Sequence, residues 1–126
     1  ESIVLAERAK DFGIDEIVFT HPYSTPTRAT DEQVRDMQQL GAVYEMCGLA
    51  FLPSKQQISM ARALGIIELY GADKVILSTD TYFTYAPPAV ETMRLVLSSL
   101  LSAGLDEASA SKLVRENPRR LLQLAA

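Results

Sequence analysis

Three short β-prone segments, each followed by a helical pattern, constrain this chain more than any other feature. The segments cover residues 17–20, 42–46 and 75–79, and they begin about 25 to 35 residues apart. Strands that alternate with helices at this spacing favour a parallel sheet joined by helical crossovers. We therefore predict an α/β fold with three parallel strands alternating with helices, followed by further helices at the C-terminus.

Local signals predict where the helices begin and end. Residues 2–12 have apolar groups near helical spacing, and Thr30 with Gln33 fits a capping box. Ser54 with Gln57 repeats that pattern and predicts a helix that presents Ile58, Ala61, Leu64 and Ile67 on one face. Asn117 before Pro118 is typical of a helix start. The strands are almost continuously apolar, which predicts that both faces of the sheet are covered.

Composition limits the class of protein. A chain of 126 residues, 48% hydrophobic and 22% charged, has the size and apolar content of one α/β domain over residues 1–126. The net charge is −4 and basic residues form no stripe, which argues against a nucleic-acid partner. No apolar run reaches the roughly 18 residues of a membrane span. The single cysteine, Cys47, fits a reducing compartment, so we expect a cytoplasmic protein.

Polar side chains follow the predicted strands. His21, the one histidine, comes after the first strand, Glu45 and Cys47 stand at the end of the second, and Asp80 follows the third. Parallel strands place these ends at one edge of the sheet. Imidazole and carboxylate groups are good ligands for zinc and similar ions. Two ligands are too few for a catalytic zinc site, and the sequence has no H-x-H, H-E-x-x-H or C-x-x-C motif.

Three stretches carry a resemblance to a known family: IVFTHP at residues 17–22, VILSTD at 75–80 and VRENPRRLL at 114–122. Together they resemble the C-terminal half of the amidohydrolase-like proteins, and more narrowly a little-characterised branch of them. These proteins are metal-dependent hydrolases built on a (β/α)₈ TIM barrel. The resemblance covers essentially the whole chain. It implies that the three strands correspond to the sixth, seventh and eighth of such a barrel.

The resemblance also implies roles for two residues. His21 would be a metal ligand, and Asp80 would bind the metal and accept the proton of the attacking water. The cofactor would be a divalent metal, zinc or similar, acting in hydrolysis of a C–N, C–O or phosphoester bond. The family's other ligands, on its first, fourth and fifth strands, have no counterpart here, so the site in this chain is incomplete. The plainer interpretations are a loop histidine bonded to a carbonyl and an aspartate that caps a turn.

Four further residues are weaker candidates for substrate binding: Glu45, Tyr23, Arg28 and Tyr82. An acid within a strand needs a partner, and a salt bridge at the rim is the simpler role for Glu45. Tyr82 belongs to an aromatic cluster that fits either a pocket wall or packing beneath a loop. Tyr23 and Arg28 lie in the loop after His21, where a solvated loop is the default interpretation.

The expected partners follow from the small number of strands. The chain opens at Glu1 within a helical pattern, so we expect it to be the C-terminal part of a larger chain, with a small-molecule substrate. Uncovered strand edges associate readily, which predicts a homo-oligomer or association with the missing N-terminal part. Two alternatives stay open. One is a non-catalytic α/β binding or assembly module, and the other is a barrel that has lost its metal.

Overall fold

The computed structural model describes residues 1–25 and 27–124, and these form an α/β arrangement. Helices and strands alternate as far as the last strand, and helices follow it. The elements are α1 (Ser2–Asp11), β1 (Val18–Thr20), α2 (Asp31–Gln39), β2 (Val43–Cys47), α3 (Met60–Tyr70), β3 (Val75–Ser78), α4 (Ala89–Ser102), α5 (Glu107–Ser111) and α6 (Asn117–Leu121). Short 3₁₀ turns cover Gly48–Phe51 and Ala72–Lys74, and a π turn covers Lys112–Glu116.

Within the described residues, β1, β2 and β3 form one open parallel sheet in sequence order. Thr20 pairs with Glu45 in the register of the first two strands, and Cys47 pairs with Ser78 in that of the last two. This confirms the prediction of three parallel strands alternating with helices. The C-terminal ends of all three strands consequently meet at one edge of the sheet.

Side-chain caps fix the starts of α2, α3 and α5. The Thr30 hydroxyl accepts from the Gln33 amide at 3.2 Å, and the Gln33 side chain accepts from the Thr30 amide at 2.9 Å. This confirms the first capping box. The second was wrong, because α3 begins at Met60 and its cap is Ser59, which accepts from the Arg62 amide at 3.2 Å. The buried face of α3 therefore consists of Ala63, Ile66, Ile67 and Tyr70.

The main core lies between one face of the sheet and the helices. That face is formed by Tyr44 and Met46 on β2 and by Val75 and Leu77 on β3, and all four side chains are buried. They belong to one apolar cluster with residues of α2, α3, α4 and α5 and of the π turn, namely Val34, Ala63, Ile66, Ile67, Tyr70, Val96, Leu100, Ala110 and Leu113. Burial of these apolar side chains is the dominant stabilising term.

The opposite face of the sheet is only partly covered by the described residues. Val18 is 42% exposed and Thr20 is exposed, while Glu45, Ile76 and Ser78 are half-buried. Residues of this face are absent from the main cluster. The expectation that both faces are covered was therefore wrong for β1 and β3, where burial alternates along the strand. The apolar run in the sequence did not reveal this difference between faces.

The C-terminal helices are attached to β3 through Asn117. Asn117 opens α6 with Pro118 in the first turn, as the sequence predicted, but its backbone angles are α-helical and its side chain does not act as the cap. Its side-chain amide instead donates to the carbonyls of Ala72 and Val75, each at 2.7 Å. The side chain is 4% exposed. Asn117 thus satisfies backbone acceptors where the chain enters β3.

Candidate active site

His21 and Asp80 stand just beyond the C-terminal ends of two strands, and both have left-handed backbone conformations. His21 follows β1 directly, with φ of 34°, and its amide donates to the Glu45 carbonyl at 3.0 Å. Asp80 follows Thr79 after β3, with φ of 51°. Such angles cost roughly 1–3 kcal/mol in non-glycine residues, and they cluster at ligand and catalytic sites.

A pocket of about 270 Å³ lies at this edge of the sheet. His21 after β1, Cys47 on β2 and Asp80 after β3 all line it, so residues from all three strand ends converge on one space. The other lining residues are Ser24, Thr25, Leu49, Ala50, Lys55, Gln57, Tyr82 and Phe83. Ligand pockets are usually about 300–1,000 Å³, so this one lies just below the lower end of the range.

The imidazole of His21 has an unused polar atom. Its Nδ1 is buried and has no hydrogen-bond partner among the described residues. Buried polar atoms in native structures nearly always have a partner, so an exception calls for a ligand, a water or an ion. His21 lines the pocket, and the imidazole side chain is a common metal ligand.

The carboxylate of Asp80 is available as well. Asp80 is exposed, and its side chain forms no hydrogen bond or ion pair with residues 1–25 or 27–124. Across those same residues, no group of three or more His, Cys, Asp or Glu side chains could hold a metal ion. His21 and Asp80 therefore have the right chemistry for a divalent ion, but a closed site would need ligands from outside this stretch.

Cys47 lies in the pocket as a neutral thiol. It is 2% exposed, and the Ser78 hydroxyl donates to its sulfur at 3.5 Å. Burial raises the pKa of this thiol to about 11. Nucleophilic and metal-binding cysteines react as thiolates, so at neutral pH Cys47 contributes to the wall of the pocket.

The four weaker candidates fall into two groups. Tyr82 lines the pocket, whereas Glu45, Tyr23 and Arg28 are not among its lining residues. Glu45 is half-buried on β2, and its backbone carbonyl holds the His21 amide. Arg28 is exposed, with φ of 45°. The structure thus groups Tyr82 with His21 and Asp80 and leaves the other three outside the pocket.

Tyr23 connects the His21 loop to α2 and α3. Its hydroxyl donates to an Asp31 carboxylate oxygen at 2.8 Å and lies 2.9 Å from the Tyr70 hydroxyl. Because Tyr23 has one hydroxyl proton, Tyr70 donates to Tyr23. The Arg62 side chain pairs with Asp31, and its guanidinium lies 4.9 Å from the centre of the Tyr23 ring. Asp31 and Arg62 thus hold the start of the loop that presents His21.

This network predicts a pH-dependent contribution to stability. The bonds from Tyr23 and from Arg62 lower the pKa of Asp31. A carboxyl group whose pKa is lower in the folded state than in the unfolded state stabilises the folded state. This contribution is complete at pH values above the unfolded pKa of about 4, and it is lost as the pH falls through the folded pKa. Asp31→Asn should therefore reduce the difference between the urea midpoints at pH 7 and pH 3.

The control for this test is Glu32→Gln, which removes a neighbouring exposed charge from the same helix turn. The difference between the urea midpoints of this variant at pH 7 and pH 3 should stay close to that of the unmodified protein. If the urea midpoint changes equally with pH in the unmodified protein and in Asp31→Asn, the network makes no pH-dependent contribution to stability.

Several lining residues were not identified from the sequence. Lys55 and Gln57 were assigned to a helix that begins at Ser54, although they belong to the connection before α3. Recognising Ser59 with Arg62 as the actual start of α3 would have left both residues in a loop at the C-terminal edge of the sheet. Loops at that edge supply most ligand contacts in α/β proteins.

The described residues form an α/β arrangement whose candidate site lies at the C-terminal ends of three parallel strands. Comparison of the chain with protein-family models, curated proteins and solved structures finds no match. Among residues 1–25 and 27–124, no helix has both the length and the apolar character needed to cross a membrane.

Proposed function

We propose that this chain contributes part of the active site of a metal-dependent hydrolase of the amidohydrolase-like type. The observation that carries the proposal is the meeting of His21 and Asp80 in one pocket, with the His21 Nδ1 buried and unpaired. His21 would be a metal ligand, and Asp80 would be both a ligand and the acceptor of a proton from water. The bond cleaved would be C–N, C–O or phosphoester.

The sheet supports a barrel origin for the chain. Its helices pack on the face that contains Tyr44 and Leu77, while Val18 and Thr20 on the opposite face stay exposed. In a (β/α)₈ barrel the helices form an outer ring, and the inner faces of the strands pack against one another. The three strands fit the last three units of such a barrel, with the remaining units supplied from outside this stretch.

The proposed cofactor is a divalent ion, zinc or similar. When bound, such an ion makes water a stronger acid and polarises the bond to be cleaved. The described residues would hold it through the His21 imidazole and the Asp80 carboxylate, and the remaining ligands would come from elsewhere. A carboxylate at the Asp80 position also takes up the proton that the attacking water releases.

The partly open sheet face supports association with further protein. Exposed strand edges and faces are a liability in isolation. We propose that further protein N-terminal to this stretch, or a second copy of the chain, covers them. Sedimentation as a monomer with cooperative melting would instead indicate a self-sufficient fold, and it would favour the alternative of a non-catalytic binding module.

The experiment is metal removal and restoration in the intact protein. Hydrolysis of a panel of amides, esters and phosphoesters should be lost after treatment with a chelator and should return when Zn²⁺ or Mn²⁺ is added. Activity that survives complete chelation would contradict the proposal. A folded protein inactive on the whole panel with every added metal would favour the alternative of a barrel that has lost its metal.

A further inference from the structure

The pocket beside His21 and Asp80 contains a cation that has no ionic partner. Lys55 provides the positive charge among the lining residues, and its Nζ lies 5.6 Å from the centre of the Phe83 ring. It forms no ion pair with a carboxylate in the part of the chain that the structure describes. An incoming anion could therefore pair with this ammonium group without breaking an existing salt bridge.

The backbone around Lys55 is held in place by the preceding 3₁₀ turn. The amides of Lys55 and Gln56 donate to the Leu52 carbonyl at 2.9 and 2.7 Å, and the Gln57 amide donates to the Ala50 carbonyl at 2.8 Å. These bonds fix the backbone position from which the Lys55 side chain extends. Because the backbone at Lys55 is already ordered, binding of a ligand there loses less conformational entropy.

An aromatic wall lies next to this cation. The ring centres of Tyr82 and Phe83 are 4.0 Å apart, and those of Phe83 and Tyr85 are 5.0 Å apart, with 16° between the latter two planes. Tyr82 is 75% exposed although it lines the pocket. Exposed aromatic rings at a pocket are typical of binding sites, because they stack on planar apolar groups at little entropic cost.

We infer that this pocket takes a small carboxylic acid with a planar apolar body, whose carboxylate pairs with Lys55 and whose body packs against the exposed ring of Tyr82. The inference names the substrate class for the site of the proposed function and rests on that proposal for the reaction. Lys55 is the one lysine or arginine among the lining residues that the structure describes, and a single positive charge balances a monoanion, whereas a phosphate dianion would keep an uncompensated charge. Ser24 and Gln57 line the same space and offer further polar contacts.

Binding of simple probes to the intact protein tests this inference apart from catalysis. Benzoate, benzamide and phenyl phosphate are titrated by calorimetry in the presence of a chelator. Benzoate should bind more tightly than benzamide, which has the same shape without the charge, and more tightly than phenyl phosphate. Lys55→Gln should weaken benzoate binding about two- to fivefold, as expected for an exposed ion pair, and leave benzamide binding unchanged.

Two variants complete the test. Lys10→Gln removes an exposed lysine far along the chain from the pocket loops and should leave all three affinities unchanged. Tyr82→Ala should weaken benzoate and benzamide alike. No benzoate binding, equal binding of benzoate and benzamide, or unchanged benzoate affinity in Lys55→Gln would each overturn the inference. Because no metal is present, loss of metal-dependent hydrolysis would not alter these results, and the two proposals fail separately.

Discussion

Replacing Asp80 with asparagine should abolish hydrolysis by the intact protein and leave its fold unchanged. Asparagine has nearly the same shape as aspartate and tolerates the left-handed backbone angle of 51° at this position. It cannot accept a proton, and general-base catalysis typically contributes about 10²- to 10⁴-fold to a rate. We expect a fall of at least that size in kcat, measured on whichever substrate class the intact protein hydrolyses.

Gln123→Asn is the matched control for this change. Gln123 has φ of 52°, almost the same as Asp80, but it is exposed near the C-terminus and does not line the pocket. Its turnover and melting temperature should equal those of the unmodified protein. Unchanged turnover in Asp80→Asn would remove Asp80 from the mechanism. Lost turnover together with a lowered melting temperature would identify a structural role instead.

Asn117→Ala should cause a large loss of stability. The change removes two hydrogen bonds of 2.7 Å and leaves the carbonyls of Ala72 and Val75 without this donor at the entry to β3. The Ala72 carbonyl keeps the Val75 amide as a donor. Each lost hydrogen bond costs about 0.5–1.5 kcal/mol net, and truncation of a buried side chain adds to this loss. We expect the free energy of unfolding, measured by urea denaturation, to fall by about 2–4 kcal/mol.

Gln38→Ala provides a graded comparison for this prediction. The Gln38 side chain donates one bond of 2.8 Å to the Tyr70 carbonyl at a half-buried position. Its loss should cost about 1 kcal/mol, close to the net value of one hydrogen bond. Equal losses in the two variants would show that the Asn117 side chain does not support the start of β3 in the way the structure indicates.

The sequence was sufficient to predict the alternation of strands and helices and the capping box at Thr30. These features depend on short-range patterns, namely apolar periodicity and the reach of one side chain to a nearby amide. The helix start at Asn117 and Pro118 was also predicted correctly. The start at Ser54 was wrong, because Ser59 supplies the cap of α3. The capping role of Asn117 was wrong as well, because its side-chain amide bonds to carbonyls near residue 75.

The candidate site was predictable in outline and not in detail. Parallel strands run in the same direction, so their C-terminal ends lie at one edge of the sheet. This was enough to predict that His21 and Asp80 lie at the same site. The position of Lys55 depends on how the connection between β2 and α3 folds back onto the Leu52 and Ala50 carbonyls. The placement of Tyr23 on the helix side depends on its bond to Asp31. Such contacts depend on tertiary packing, which residue spacing along the chain does not encode.

The metal content of the intact protein tests the central claim most directly. Elemental analysis of the purified protein should find Zn, Mn, Fe or Ni close to one equivalent or more per chain. His21→Asn keeps a residue that tolerates the left-handed angle at position 21, and it should lower metal occupancy at least tenfold. Gln123→Asn should leave occupancy unchanged. A folded, unmodified protein without stoichiometric metal, or equal occupancy in the His21→Asn variant, would contradict the assignment of this pocket as part of a metal-dependent active site.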